Sequence, residues 1–182
     1  NINKGETVGV VGESGSGKSV SAMSLLRLND TAGAYMPEGR IFLHSSEHGR
    51  VDITEAEEPQ MQSIRGKEVA MIFQEPMTCL NPVLSIKTQL TEPLLQHQGM
   101  STVDAEEKVL GLLRRVRIPD PEKKLDQYPH HLSAGLRQRA MIAVALGCEP
   151  ALLIADEATT ALDVTIQAQI LDLIKDLQGE FG

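Results

Sequence analysis

The segment Gly12-Glu13-Ser14-Gly15-Ser16-Gly17-Lys18-Ser19 follows the pattern G-x-x-x-x-G-K-[ST], with small residues, a lysine and a hydroxyl at fixed offsets. Small residues let successive backbone N–H groups close around phosphate oxygens, and a helix N-terminus behind them adds positive potential. In that arrangement Lys18 neutralises β- and γ-phosphate oxygens, and the Ser19 hydroxyl is a ligand for Mg²⁺. The flanks suit the motif, since Thr7 to Val11 is a β-branched run that reads as a strand and Ser19 to Leu28 can continue as a helix.

A second group of reactive side chains lies at Leu152-Leu153-Ile154-Ala155-Asp156-Glu157. The apolar run reads as a fully buried strand that delivers two adjacent carboxylates at its C-terminal end, where α/β sheets place ligands. Asp156 suits positioning of Mg²⁺, and Glu157 suits orienting or deprotonating an attacking water, a division of roles expected in phosphoryl transfer. An acidic helix start would explain the pair taken alone. Beside Lys18 and Ser19 the pair points to a site that binds Mg-ATP and hydrolyses it.

The elements that must position these groups alternate as strands and helices, which predicts an α/β fold: a P-loop NTPase core with a mainly parallel sheet, a small antiparallel flap and a helical subdomain. Arg40 to Leu43 and Val51 to Ile53 read as the flap strands, followed by an acidic stretch, Glu55 to Glu58, read as a solvated face or loop. Val69 to Phe73 is another apolar strand, and the prolines Pro76 and Pro82 break regular structure after it. Ser101 can cap a helix whose Ala105, Val109, Leu112, Leu113 and Val116 form one stripe, ended by Pro119-Asp120-Pro121. Leu136 to Leu146 reads as a further helix, and Ile166, Ile170, Ile174 and Leu177 as the inner face of a final one. The expected division is a single domain over 1–182, with 1–28 and 150–182 as core, 29–68 as flap and 83–147 as the helical subdomain.

Bulk properties narrow the partners. The 182 residues, 41% of them hydrophobic, suffice for one sizeable core. A formal charge of −8 argues against a nucleic-acid or anionic-lipid surface, so the phosphate site must be local. Cys79 and Cys148 lie far apart with no CxxC or histidine-rich neighbour, which indicates neither a disulfide framework nor a zinc site, and a reduced compartment fits. No apolar run approaches the ~20 residues that span a bilayer, so a membrane role requires a partner to supply the span.

The order of these motifs is similar to that of ABC ATPases. Gln74 directly follows the strand Val69 to Phe73, and Leu132-Ser133-Ala134-Gly135-Leu136 precedes Asp156-Glu157 by a helix and a turn. The segments Ile72-Phe73-Gln74-Glu75-Pro76-Met77-Thr78-Cys79-Leu80-Asn81-Pro82 and Tyr128-Pro129-His130-His131-Leu132-Ser133 resemble the oligopeptide, dipeptide, glutathione and nickel importer branch. The resemblance implies that Gln74 contacts Mg²⁺ near a transmembrane permease subunit. It also implies that Ser133 and Gly135 cap ATP bound to a second ABC ATPase domain. Asp163, in Ala161-Leu162-Asp163, matches the D-loop and could equally be a helix N-cap. The implied setting is the cytoplasmic face of the membrane, with an external solute-binding protein acting indirectly and no nucleic acid involved. Taken singly, Ser133 is a helix cap and Gln74 a polar strand end, while His130 and His131 read as solvated and receive no catalytic role.

Three positions depart from the family pattern. Ala134 stands where the signature has its first glycine, Leu136 where glutamine or methionine is common, and Ala158 where proline follows the catalytic glutamate. If Ala134 needs positive φ or sits against phosphate, its Cβ costs roughly 1 kcal/mol; if it begins a helix normally, little changes. The family's switch histidine and its adenine-stacking aromatic have no counterpart in this sequence, and the chain reads as a fragment with exposed sheet edges. The favoured activity is a transport-coupled ATPase. The alternatives are a nucleotide-responsive degenerate domain with little turnover, or a non-transport ABC ATPase.

Overall fold

The computed structural model describes residues 1–29, 38–74, 79–157 and 164–181. Its elements run in chain order α1 (Lys18–Leu25), β1 (Phe42–Ser45), β2 (Gly49–Asp52), α2 (Glu58–Ile64), β3 (Val69–Ile72), α3 (Ile86–Gln98), α4 (Thr102–Arg115), α5 (Pro121–Leu125), α6 (Ala134–Leu146), β4 (Leu152–Ala155) and α7 (Val164–Phe181). Strands β1 and β2 form an antiparallel hairpin, and β3 and β4 pair in parallel, separated in sequence by α3 to α6. Helices separate β2, β3 and β4 along the chain, while β1 and β2 follow one another as the hairpin, so the α/β reading and the antiparallel flap both hold.

Strand β3 divides two apolar clusters, and its four residues are all buried. On one side Val69 and Met71 join Leu26, Val51, Ile53, Met61 and Ile64 from α1, the hairpin and α2. On the other, Ala70 and Ile72 join Leu90 and Leu94 of α3, Val109 and Leu113 of α4, Ile142 of α6, and Ile170, Leu173 and Leu177 of α7. The alternation of side chains along a strand thus assigns each face of β3 to a different layer.

The helices follow their sequence signals closely. Ser101 caps α4, its Oγ accepting from Asp104 N at 3.2 Å, and the stripe from Ala105 to Val116 is buried. Helix α3 had no separate reading within the helical segment 83–147; Ser85 caps it by accepting from Thr88 N, and Gly99 ends it at φ 61°. The acidic stretch is exposed at Glu55, Glu57 and Glu58, yet Glu58 already belongs to α2, whose Met61 and Ile64 reach the core.

Two strand expectations are corrected. Thr7 to Val11 forms no strand: Val8, Val10 and Val11 are 48%, 70% and 97% exposed, because among the described residues no neighbouring strand supplies a hydrogen-bond ladder and β-branched propensity alone does not hold an extended segment. Leu152 to Ala155 is a strand but not a fully buried one. Its first three residues are partly exposed and Ala155 is exposed, since among the described residues β4 has β3 as neighbour on one side only. Boundaries also move: α1 stops at Leu25, the first flap strand covers Phe42–Ser45, and α6 begins at Ala134 rather than Leu136. In α7, Leu173 joins Ile170 and Leu177 in the core, while Ile166 and Ile174 are only partly buried.

The hairpin is tied to the core by a buried carboxylate. Glu68, 4% exposed, accepts from Ser45 Oγ at 2.6 Å and Ser46 N at 2.9 Å, and Ser45 Oγ in turn accepts from Glu47 N and His48 N. Removing the carboxylate leaves buried donors without their acceptor. Glu68→Ala should therefore lower unfolding free energy by about 2 kcal/mol, read as a shift of the urea midpoint at unchanged slope.

Candidate active site

The glycine-rich loop is built by backbone conformations that side chains resist. Gly15 and Gly17 have φ of 80° and 91°, and Ser16 N donates to the Glu13 carbonyl at 3.1 Å to close the turn. A Cβ on Gly12 would lie 2.5 Å from Ser16 Oγ and 3.2 Å from Ser16 Cβ, so the glycine lets the Ser16 side chain pack closely against the loop. Gly17 is also the N-cap of α1, and no side chain caps that helix start. Its leading N–H groups and the positive end of its dipole are therefore presented to the loop. Lys18 Nζ bends back to donate to the Gly12 and Glu13 carbonyls at 2.9 and 3.0 Å, which holds its ammonium over the loop.

The parallel register brings the remaining groups to this loop. Ile72 pairs with Ala155, and Asp156 N donates to the Ile72 carbonyl at 2.9 Å, carrying the ladder one step past the strands. Two residues beyond that pair, Gln74 and Glu157 stand at matching positions, and Gln74 Nε2 donates to Glu157 Oε2 at 2.9 Å. One residue back, Asp156 Oδ1 accepts from Ser19 Oγ at 3.0 Å, which fastens β4 to the first turn of α1. Lys18, Ser19, Gln74, Asp156 and Glu157 thus belong to one connected arrangement drawn from three elements. Glu157 holds φ 46°, a left-handed conformation that costs a non-glycine residue roughly 1 kcal/mol and is concentrated at functional positions.

Ser133 and Gly135 stand elsewhere, at the head of α6. Ser133 Oγ accepts from Leu136 N at 3.3 Å as the helix cap, and Arg137 Nη1 donates to the Leu132 carbonyl at 2.7 Å, bracing the turn. A Cβ on Gly135 would meet Ile166 Cγ2 at 3.2 Å, so this glycine permits close approach of α7. His130 and His131 are exposed and ring-packed with Tyr128, at centroid distances of 5.7 and 5.9 Å. Asp163 and Ala158 lie outside the described residues, as do the expected loop residues 75–78.

The ABC transporter family model matches residues 1–160. The chain belongs to the ABC transporter family. It is 55% identical over 181 residues to a Brucella ovis protein assigned by name as a peptide import ATP-binding protein, covering 100% of this chain and 54% of that relative. It is 52% identical to the glutathione import ATP-binding protein GsiA of Salmonella typhimurium strain LT2, covering 100% of this chain and 29% of GsiA. The chain therefore spans about half the length of the first relative and under a third of the second. Among solved structures it resembles the cassette MJ0796 in a dimeric post-hydrolysis state bound to ADP and Pi, with TM-score 0.80, 28% identity, and coverage of 100% of this chain and 73% of that one. It also resembles cbiO1 from Clostridium perfringens, part of the ABC transporter complex cbiONQ, with TM-score 0.77, 25% identity and coverage of 100% and 65%.

Within this ABC chain the structure decides between the two conformations open to Ala134. Ala134 is the first residue of α6, and it is not among the described residues with positive φ. Its methyl group therefore meets no backbone penalty. Three polar residues were not singled out from sequence: Glu68 at the hairpin, and Gln138 and Arg139 in α6, which are 1% and 8% exposed. Three consecutive long polar residues, Arg137 to Arg139, in an otherwise apolar helix were the available signal. Gln138 Nε2 is buried without a hydrogen-bond partner among the described residues. Arg139 donates to the Val116 carbonyl at 2.9 Å and to Gln169 Oε1 at 3.0 Å, and burial, then the nearby Arg117 cation, lower its pKa from the ordinary arginine value.

Because Ala134 is an ordinary helix-start residue, Ala134→Gly should reduce thermal stability by an amount equivalent to at most about 1 kcal/mol and change any ATP turnover by less than about twofold. Calorimetric melting and a steady-state phosphate-release assay check both parts.

Proposed function

We propose that this chain binds Mg-ATP at the Gly12–Ser19 loop and hydrolyses it, and that in its parent assembly this drives import of peptides or related small solutes through a membrane permease. The observation that carries the reading is the joining of Ser19 to Asp156 and of Gln74 to Glu157 at the ends of the β3–β4 pair. The residues fit the ligand chemically. The loop N–H groups and Lys18 match a polyphosphate, and the hard oxygens of Ser19, Asp156 and Gln74 match Mg²⁺. When bound, Mg²⁺ would neutralise charge on the phosphate oxygens.

In this reading Lys18 exchanges its loop carbonyls for phosphate oxygens, and Glu13, Ser14 and Ser16 with Gly12, Gly15 and Gly17 shape the cradle. Gln74 holds the Glu157 carboxylate in place. Glu157 orients the attacking water and accepts its proton as the water oxygen bonds to the γ-phosphorus and the bond to the bridging oxygen breaks, releasing ADP and phosphate. Ser133, Gly135 and Asp163 are assigned to the surface facing a second ABC ATPase domain, where the first two cap that domain's nucleotide. The dimeric state of the MJ0796 structure supports such a pairing.

No helix among the described residues is long and apolar enough to cross a membrane, so the permease partner would supply the span. We assign the chain to the cytoplasmic face of the membrane, with an external solute-binding protein acting through the permease. The names of the peptide and glutathione import relatives support this substrate class. The division into core (1–28 and 150–182), flap (29–68) and helical subdomain (83–147) stays part of this reading, although the apolar clusters cut across it: α7 packs with α3, α4 and α6, and Leu26 packs with the hairpin and α2.

Replacing Glu157 removes the proton acceptor while leaving Lys18 and Ser19. Glu157→Gln should lower ATP turnover on the order of 10²- to 10⁴-fold with nucleotide affinity retained. Turnover that survives this change would assign the base elsewhere.

A further inference from the structure

The head of α6 and the start of α7 lie side by side. Gly135 admits Ile166, and one turn further along each helix Arg139 reaches Gln169. These pairs advance in the same direction along both helices, so the turn that carries Ser133 rests beside the first turns of α7. Helix α7 is also the next described element after Glu157, beginning at Val164. Arg139 adds a third attachment, because its Nη1 donates to the Val116 carbonyl at the C-cap of α4. That carbonyl lies among the end groups for which a helix offers no partner of its own.

The chemistry of this contact is unusual for a residue with only a packing role. A guanidinium 8% exposed carries two hydrogen bonds to neutral oxygens, the Val116 carbonyl and the Gln169 amide. Arg117, adjacent to Val116, takes φ 59° and donates to Asp176 Oδ2 at 2.7 Å, two helical turns beyond Gln169 on the same stripe of α7. That outer pair is over half exposed on both sides and contributes little in water. The Arg139–Val116 bond is buried and the Arg139–Gln169 bond part-buried, and the planar, multi-donor geometry that makes both cannot be reproduced by lysine.

We propose that Arg139 is a positioning residue that joins the signature turn, the end of α4 and the first turns of α7 into one body, so that Ser133 and Gly135 reach their working position together with α7. Arg139 touches no nucleotide in this account. It acts through the placement of the α6 head, and it is required for turnover and not for holding nucleotide on the Lys18 loop. This rests on the ATPase reading for its kinetic consequence.

The test uses Arg139→Gln, Gln169→Ala and their combination in the intact protein, with Asp176→Ala as the outer-pair control. Steady-state kcat for ATP, ADP affinity and amide hydrogen exchange are measured on each. Gln169 is exposed, so its truncation leaves the core intact even if the arginine variant folds poorly. The expected result is a fall in kcat of about tenfold for each single variant, ADP affinity within about twofold of wild type, and a double variant no worse than the worse single. Exchange should rise together at Leu136 and in residues 168–171, while Asp176→Ala changes neither readout. Multiplicative effects of the two substitutions, or parallel loss of kcat and ADP affinity, would overturn the proposal. Absence of turnover in the wild type would remove the ATPase reading, and the exchange data would still decide the coupling. Increased exchange confined to α6, or none, would refute it.

Discussion

Four residue pairs of parallel sheet hold the site together. The β3–β4 ladder, extended by the bond from Asp156 N to the Ile72 carbonyl, links the strand leading to Gln74 with the strand leading to Glu157, and those two side chains follow its shared C-terminal end. A parallel pair requires a long crossover, here the whole run from α3 to α6, so most of the chain lies between two strands that must meet. A slip of one residue would reverse which faces of β3 meet the two apolar clusters and would separate Gln74 from Glu157. The cores on both faces thus specify the alignment of the site.

The P-loop arm depends on a different kind of contact. No strand ladder ties Thr7 to Val11 to β4, and the Ser19–Asp156 hydrogen bond connects α1 to the carboxylate pair. Packing of Leu26, Ala22 and Met23 against the hairpin and β3 cluster supports the far end of α1. The signature side is organised separately, around α4, α6 and α7, with polar ties through Arg139 and Arg117. The residues proposed to face nucleotide therefore fall into two groups, on two supports that share β3 as their boundary.

The local chemistry was legible in the sequence because each motif carries its own constraint. Positive φ at Gly15 and Gly17, the Ser133 cap and the buried stripe of α4 are short-range consequences of residue type. Burial was less legible, because it depends on which strands are neighbours. The runs Thr7–Val11 and Leu152–Ala155 both read as strands, yet one forms no strand and the other is a half-covered one. Glu68 and Arg139 were not legible, since polar residues next to apolar runs usually face water, and only the folded chain supplies Ser45, Val116 and Gln169 as their partners. The relation of Gln74 to Glu157 needed both the motif order and the register, and the sequence contains only the first.

The central claim is that Ser19 and Asp156 form a metal-binding corner of the nucleotide site, with Lys18 responsible for the phosphates themselves. Isothermal calorimetry of ADP binding with and without Mg²⁺, compared between the wild type and Ser19→Ala, tests it most directly. The account predicts that Mg²⁺ tightens binding to the wild type, and that Ser19→Ala loses this gain while keeping the metal-free affinity. An equal Mg²⁺ effect in both proteins would contradict it.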